Sequence, residues 1–511
     1  MLWRRNVPGA YANRCILGIF MAKGRCFCRR MRVHRIGSGP PEENKMLFRL
    51  NGTAAAAFCR RLLTILLPLF ATMCIARSFF PARLIQIACC LVLLTVAVFT
   101  IPVIKPMVRC VTLLMFLGGC ALLLFNRSAP AQWLSSFMKN AELIMLMILA
   151  PMLSLPLTYR DYDSQLKLFA GERLQSALLF AVFVSIYSHV MGVLVGMGGI
   201  VMAYDLFRSF ETLYGEDDFF LPTLTRSYNS SGFWSPAWAS AVVYTVFPAV
   251  KWSVMAPVGI GLALVFNAIN LGGLCIRMRR YPQRYARLSR SASARADGPT
   301  LRKLLAVVAG MLACIILLNR WTNWSLMLTV SITAVAYPLA IACIQKKRGA
   351  YTRGMRDYLL HTPDSVAGQV MIFCAAGFLG SAIDLAGVGK LLPQLLPGAF
   401  IAHPPLMIGM IVLIMTLPAF AGVHPAATGT ALALAITPAA IGLSEFTFCA
   451  AILFGWLMTV QISPFSAVSL LLSGYTKKSN WLISVGMNAG FYLICLIVFS
   501  LLISLVGPWF G

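Results

Sequence analysis

Acid is what this sequence has least of. Its 511 residues hold 16 Asp and Glu against 43 Lys and Arg, and charged residues together make up 12%. A soluble chain carries roughly a quarter, so a water-soluble globule of this size is excluded. The 15 Cys are scattered, mostly in apolar runs, with no CxxC pair. A structural zinc site has no basis in that spacing. No P-loop of the form GxxxxGK followed by Ser or Thr occurs, which argues against ATP-driven transport within the chain. HExxH and GxSxG are missing too, and with them the common metalloprotease and serine-hydrolase chemistries. The loop acids Asp161, Asp163, Glu172, Asp217 and Asp218 form no recognisable pattern. A membrane-embedded enzyme is therefore the weaker reading. No catalytic residue and no cofactor are assigned.

Apolar sequence fills the space. The chain is 59% hydrophobic, with mean hydropathy +0.80. Many runs reach the roughly 20 residues that a spanning helix needs. The expected fold is an all-α polytopic membrane protein. The net charge of +27 does not imply nucleic acid, because the positives cluster beside apolar spans as in cytoplasmic loops. The partners expected are a lipid bilayer and a small-molecule substrate.

Charge also marks the organisation. Residues 1–60 are rich in Arg and form a basic tail, expected to be disordered and cytoplasmic. A first helix and a first membrane repeat occupy 61–276. Residues 277–303 hold nine Arg and Lys against Asp297 alone, so 277–301 is read as a cytoplasmic linker. A second repeat fills 302–511. Lys346, Lys347, Arg348, Arg353 and Arg356 mark a further cytoplasmic loop.

One motif occurs in both halves. Gly232-Phe233-Trp234-Ser235-Pro236-Ala237-Trp238-Ala239 is matched by Val460-Gln461-Ile462-Ser463-Pro464-Phe465-Ser466-Ala467. Each sets Ser-Pro inside apolar sequence, with Ala three residues after the Pro. Pro removes an N–H and clashes with the preceding turn, so each copy breaks a helix. In lipid a break is tolerated only where protein or water satisfies the freed groups. The copies lie 228 residues apart. At about that offset the Gly-rich stretch Gly192 to Gly199, with Gly196 and Gly198 inside it, falls on Gly422 to Gly429 of Gly422-Val423-His424-Pro425-Ala426-Ala427-Thr428-Gly429-Thr430-Ala431. Each break thus follows a small-residue hairpin. About 11 transmembrane helices plus two re-entrant hairpins result, in two inverted repeats. The N-terminus is then cytoplasmic and the C-terminus outside. The two breaks should lie near each other at mid-membrane.

This layout resembles the ion transporter superfamily over roughly residues 84–508. That group holds divalent anion:sodium symporters, citrate and gluconate carriers, and the membrane subunits of tripartite dicarboxylate transporters. The chain has no Ser-Asn-Thr, the tripeptide that divalent-anion symporters carry at both hairpin tips. The resemblance implies a secondary active transporter in a bacterial cytoplasmic (inner) membrane. It would move a small organic or inorganic anion, such as a carboxylate, by alternating access coupled to Na⁺ or H⁺. It also implies a homodimer. A sodium/proton antiporter of the same architecture is the alternative. Substrate or ion contacts are expected from Asn229, Ser230, Ser231, Ser235 and Pro236 at the first break. From the second hairpin and break come His424, Thr428, Gly429, Thr430, Ser463 and Pro464. Opened helix ends suit an anion at N–H groups and Na⁺ at carbonyls. Asp384 is the candidate coupling acid, since ionisable residues within spans are functional hypotheses.

Overall fold

The computed structural model describes residues 42–159, 162, 176–208, 219–282, 298–387 and 398–510. Among these the chain is helix and turn, without a strand. Twelve helices among the described residues are long and apolar enough to cross a membrane. The chain is thus an all-α polytopic membrane protein. It falls into two units, Met1–Ala55 and Ala56–Gly511, and the second carries the helical core. Of the expected basic tail, residues 1–41 lie outside the described residues, and from Glu42 the chain is helical.

In the first half, α1 (Glu42–Phe79) contributes the span Ala55–Phe79. Then come α2 (Arg83–Thr100), α3 (Pro106–Phe125) and α4 (Ala141–Leu149), the last continuing as a 3-10 helix to Thr158. Next are α5 (Ala177–Val195), α6 (Met197–Phe207), α7 (Leu221–Ser230) and α8 (Trp252–Arg280). The second half runs α9 (Gly298–Thr322), α10 (Leu326–Ile344), α11 (Arg348–Leu385), α12 (Pro404–Thr416) and α13 (Pro425–Ala435). It ends with α14 (Glu445–Ile462), α15 (Ala467–Thr476) and α16 (Met487–Val506).

Two boundaries differ from expectation. The basic stretch near 346–356 is not a loop, because α11 begins at Arg348 and runs for 38 residues. Only Val366–Leu385 of it is apolar enough to span. Its first turns carry charge into solvent, where a helix needs no apolar face. At the linker, α8 continues to Arg280 with Arg277, Arg279 and Arg280 in its last turn, where cations suit the negative end of the helix dipole. Residues 283–297 lie outside the described residues.

Burial separates the helices into rim and centre. On α2, Leu84, Ile87, Leu91, Leu94 and Val98 are exposed at three- and four-residue spacing, while Cys89, Leu93 and Val96 are buried. That is a lipid-facing stripe opposite a packed one. By contrast α14 is buried on nearly every side. It packs against α7, α12, α13 and α16, and so forms the axis of the core.

Both expected hairpins are present as helix pairs. The chain reverses between α5 and α6 at Gly196, with φ +59°. It reverses before α13 at Gly422, with φ +85°. Glycine alone takes such angles without cost. The 228-residue offset extends to the elements. Met197 and Pro425, 228 residues apart, each start an 11-residue helix. Both sequence breaks are breaks in the fold as well. Helix α7 passes through a 3-10 turn, Ser231–Phe233, and resumes only in the short pieces Ala239–Val242 and Val243–Val246. Helix α14 stops at Ser463, which is extended at φ −75°, ψ 124°.

Candidate functional site

Each Ser-Pro pair is fastened to the hairpin before it by the same hydrogen bonds. Ser235 Oγ donates to Val193 O at 3.1 Å and accepts from the Ala237 N–H at 3.3 Å. Ser463 Oγ donates to Ala419 O at 2.9 Å and accepts from the Phe465 N–H at 3.2 Å. A side chain at the entry to the last long helix of each half then caps a carbonyl at each break. Trp252 Nε1 donates to Trp234 O at 2.8 Å, and Asn480 Nδ2 donates to Pro464 O at 2.8 Å. Trp252 and Asn480 are again 228 residues apart. The reason is common to both: a buried carbonyl left without a donor costs about 1–3 kcal/mol.

The residues flanking the first break are spent on the fold. His189 Nε2 accepts from Trp234 Nε1 at 3.0 Å, so its proton sits on Nδ1 and meets Ser230 Oγ at 2.8 Å. Ser230 Oγ also accepts from Asn267 Nδ2 at 2.8 Å and donates to Ser227 O at 2.7 Å. Ser231 Oγ donates to Tyr228 O. Asn229 Nδ2 donates to Gln461 Oε1 at 2.6 Å, and Gln461 Nε2 donates to Thr225 Oγ1 at 3.2 Å. These amides join α7 to α14, one interrupted helix to the other. Arg226 is buried and holds Asn488 Oδ1 at 2.9 Å, Asn270 Oδ1 at 3.1 Å and Met487 O at 2.7 Å. Its guanidinium lies 4.3 Å from the centre of the Phe491 ring. It anchors α7 to α8 and α16.

A cavity of about 510 Å³ lies where hairpins and breaks converge. Leu194 and Gly196 reach it from the first hairpin, and Ala237, Trp238 and Ala239 from the first break. Gly422, Val423 and His424 reach it from the second hairpin, and Ser463, Phe465 and Ser466 from the second break. Helices α3, α4, α11 and α14 complete the wall with Val108, Met147, Phe373 and Trp456 among others. Its size falls in the roughly 300–1,000 Å³ range of small-molecule sites.

Of the residues expected from sequence, His424 and Ser463 line this cavity. Asn229, Ser230, Ser231, Ser235, Pro236 and Pro464 are buried and do not line it. Thr428 Oγ1 turns back to Pro425 O at 3.3 Å. Gly429 lets α13 approach Met415 and Trp456, which a Cβ there would crowd at 3.0 and 3.1 Å. Thr430 is buried, and its hydroxyl has no partner among the described residues. Asp384 is exposed in the last turn of α11 and does not line the cavity. The loop acids Asp161, Asp163, Glu172, Asp217 and Asp218 lie outside the described residues. Among the described residues no group of three or more His, Cys, Asp or Glu is placed to hold a metal ion.

Sequence reasoning missed Lys105, His361, Gln369, Phe373 and Trp456, all of which line the cavity. One signal pointed to Gln369: an amide inside an otherwise apolar span is costly and marks function by default. The aromatic pair sits in apolar runs that look like any other. His361 lay next to what read as a loop. The sequence matches no protein-family model, and a search of curated proteins gives no match.

Proposed function

We propose that this chain is a secondary active transporter that moves a small anion by alternating access. The observation that carries the reading is the convergence of two helix hairpins and two broken helices, one of each from either half, on a single cavity. Secondary transporters place their substrate site where discontinuous helices of two repeats meet. The matched hydrogen bonds at the two breaks support descent of the halves from one repeat. With both hairpins re-entrant and the broken α7 counted as a crossing, the first helix is followed by five spans in each half; that odd number inverts the second half relative to the first and puts the N-terminus in the cytoplasm and the C-terminus outside. Anion is favoured over cation because Lys105, His361 and His424 line the cavity and, among the described residues, no Asp or Glu does. Na⁺ or H⁺ is the coupling ion in this scheme, and the bacterial inner membrane is its setting.

The test is uptake into proteoliposomes made with the full chain, using a panel of labelled carboxylates and inorganic anions under imposed Na⁺ and H⁺ gradients. Gradient-dependent accumulation of at least one anion, absent from protein-free vesicles, is expected. Equal uptake with and without protein across the panel would sink the proposal.

A further inference from the structure

The cavity is walled by polar groups that face away from it. Ser154 Oγ donates to Pro151 O, and Tyr358 OH donates to Ile148 O. Trp238 Nε1 donates to Gly192 O, and Ser463 Oγ to Ala419 O. Ser466 Oγ is held by Ser469. His361 Nδ1 donates to Asp357 O at 2.7 Å, so what remains for a solute is a short set of donors. His424 Nδ1 accepts from the Ala426 N–H at 3.1 Å, which fixes the neutral ring with its proton on Nε2, the other edge. Gln369 and Lys105 have no hydrogen-bond partner among the described residues, and both line the cavity. Lys105 is exposed, which puts its charge at the rim.

Beside those donors stands an aromatic wall. Phe373 and Trp456 stack at 6.3 Å and 13°. The His424 ring meets both edge-on, at 6.1 and 6.3 Å. The polar edge and the flat apolar wall therefore belong to one corner of the cavity.

We infer that the site takes an organic monoanion with an apolar or aromatic body, its carboxylate received by His424 and Gln369 and its body laid against Phe373 and Trp456. The inference rests on the transporter reading only for the use made of the site. One rim cation and two neutral donors match one carboxylate. A second carboxylate would lie against apolar wall, where an unpaired charge costs several kcal/mol. A cationic solute would meet no carboxylate in the lining. A polyol would leave most of its hydroxyls unpaired, because the Ser hydroxyls and that of Tyr358 are already bonded.

The experiment uses the purified full chain in detergent with four probes: benzoate, hexanoate, succinate and inorganic phosphate. At neutral pH both monocarboxylates are ionised. Saturable binding of benzoate, displaced by hexanoate, is expected, with succinate and phosphate at least about tenfold weaker. His424→Ala and Gln369→Leu should each weaken benzoate by about tenfold or more, the size of a lost hydrogen bond to a charged group. Thermal melting of each variant shows whether it is folded. Gln369 lies in α11, away from the hairpin turn, and so gives a second reading if the His424 variant melts early. Tighter binding of succinate or phosphate than of benzoate overturns the inference, as does a lack of saturable benzoate binding. Proteoliposome uptake separates the two levels. Benzoate bound but never accumulated would end the transport reading and leave the site assignment standing. Succinate accumulated in preference to benzoate would do the reverse.

Discussion

The two Ser-Pro breaks share a hydrogen-bond pattern and differ in almost everything around it. The first is packed among indoles. Trp234, Trp238 and Trp252 surround it, His189 accepts from one indole, and Gly259 of α8 lies so close to Phe233 O that a Cβ would intrude on the carbonyl. It contributes Ala237, Trp238 and Ala239 to the cavity lining, where the second contributes Ser463, Phe465 and Ser466. The matched motif therefore specifies geometry: a chain that stops, hands its hydroxyl to the preceding hairpin and restarts. Chemistry comes from neighbours that the two halves do not share. The second half supplies His424, Gln369, Phe373 and Trp456, and the first half supplies chiefly wall.

The largest loss should come where the breaks are joined. Gln461→Leu removes the partner of Asn229, whose Oδ1 has no partner among the described residues. A buried amide then stands unpaired on both sides, at a cost of about 2–3 kcal/mol. Unfolding in an SDS titration would register this as a lower midpoint. Replacing both residues by Leu should recover most of the loss, because the unpaired group goes with its partner. If the double variant is worse than the sum of the singles, the amide pair is not a closed unit.

Next in size is the contrast between Gly259 and Gly490. Gly259→Ala forces its Cβ against the Phe233 carbonyl and the Trp234 side chain, and overpacking of this kind costs about 1–3 kcal/mol. Gly490→Ala, in α16, meets open space and should be neutral or stabilising by up to about 1 kcal/mol, as helix propensity favours Ala. Equal melting shifts for the two would mean that α8 does not pack tightly on the first break at Gly259.

How far these contrasts were legible beforehand depends on the physics behind each. Spans, hairpins and breaks were readable, because lipid demands long apolar helices and Pro and Gly announce where they fail. The same offset relates the starts of α6 and α13, and Trp252 to Asn480, but those matches emerge only from the structure. The lining of the cavity was largely unreadable. Phe373 and Trp456 sit in apolar helices where pattern cannot separate a core aromatic from a solute-facing one. The hydroxyls of Ser230, Ser231 and Ser235 suggested ligands, yet they bond to nearby carbonyls and side chains, since a break inside a membrane core must first satisfy its own backbone. The extent of α11 was also hidden, because a basic stretch reads as a loop whether or not it is helical.

The smallest effect gives the sharpest comparison. Ser235→Ala and Ser463→Ala each delete one hydroxyl that donates to a hairpin carbonyl at 3.1 and 2.9 Å respectively. Both should lower stability by about 1 kcal/mol, and by closely similar amounts, because the same bond is lost from equally buried sites. Binding should not follow stability. Ser463 lines the cavity and Ser235 does not. Its loss loosens the second break where the proposed solute lies, so benzoate affinity should fall for Ser463→Ala and hold for Ser235→Ala. Parallel measurements of melting and benzoate binding check both halves of the statement. Equal melting shifts with unequal affinities would place the chemistry on the second break alone. Equal losses in both would mean that the two breaks act on the solute as one symmetric site, and the contrast between an indole-packed break and a serine-bearing one would then carry no functional weight.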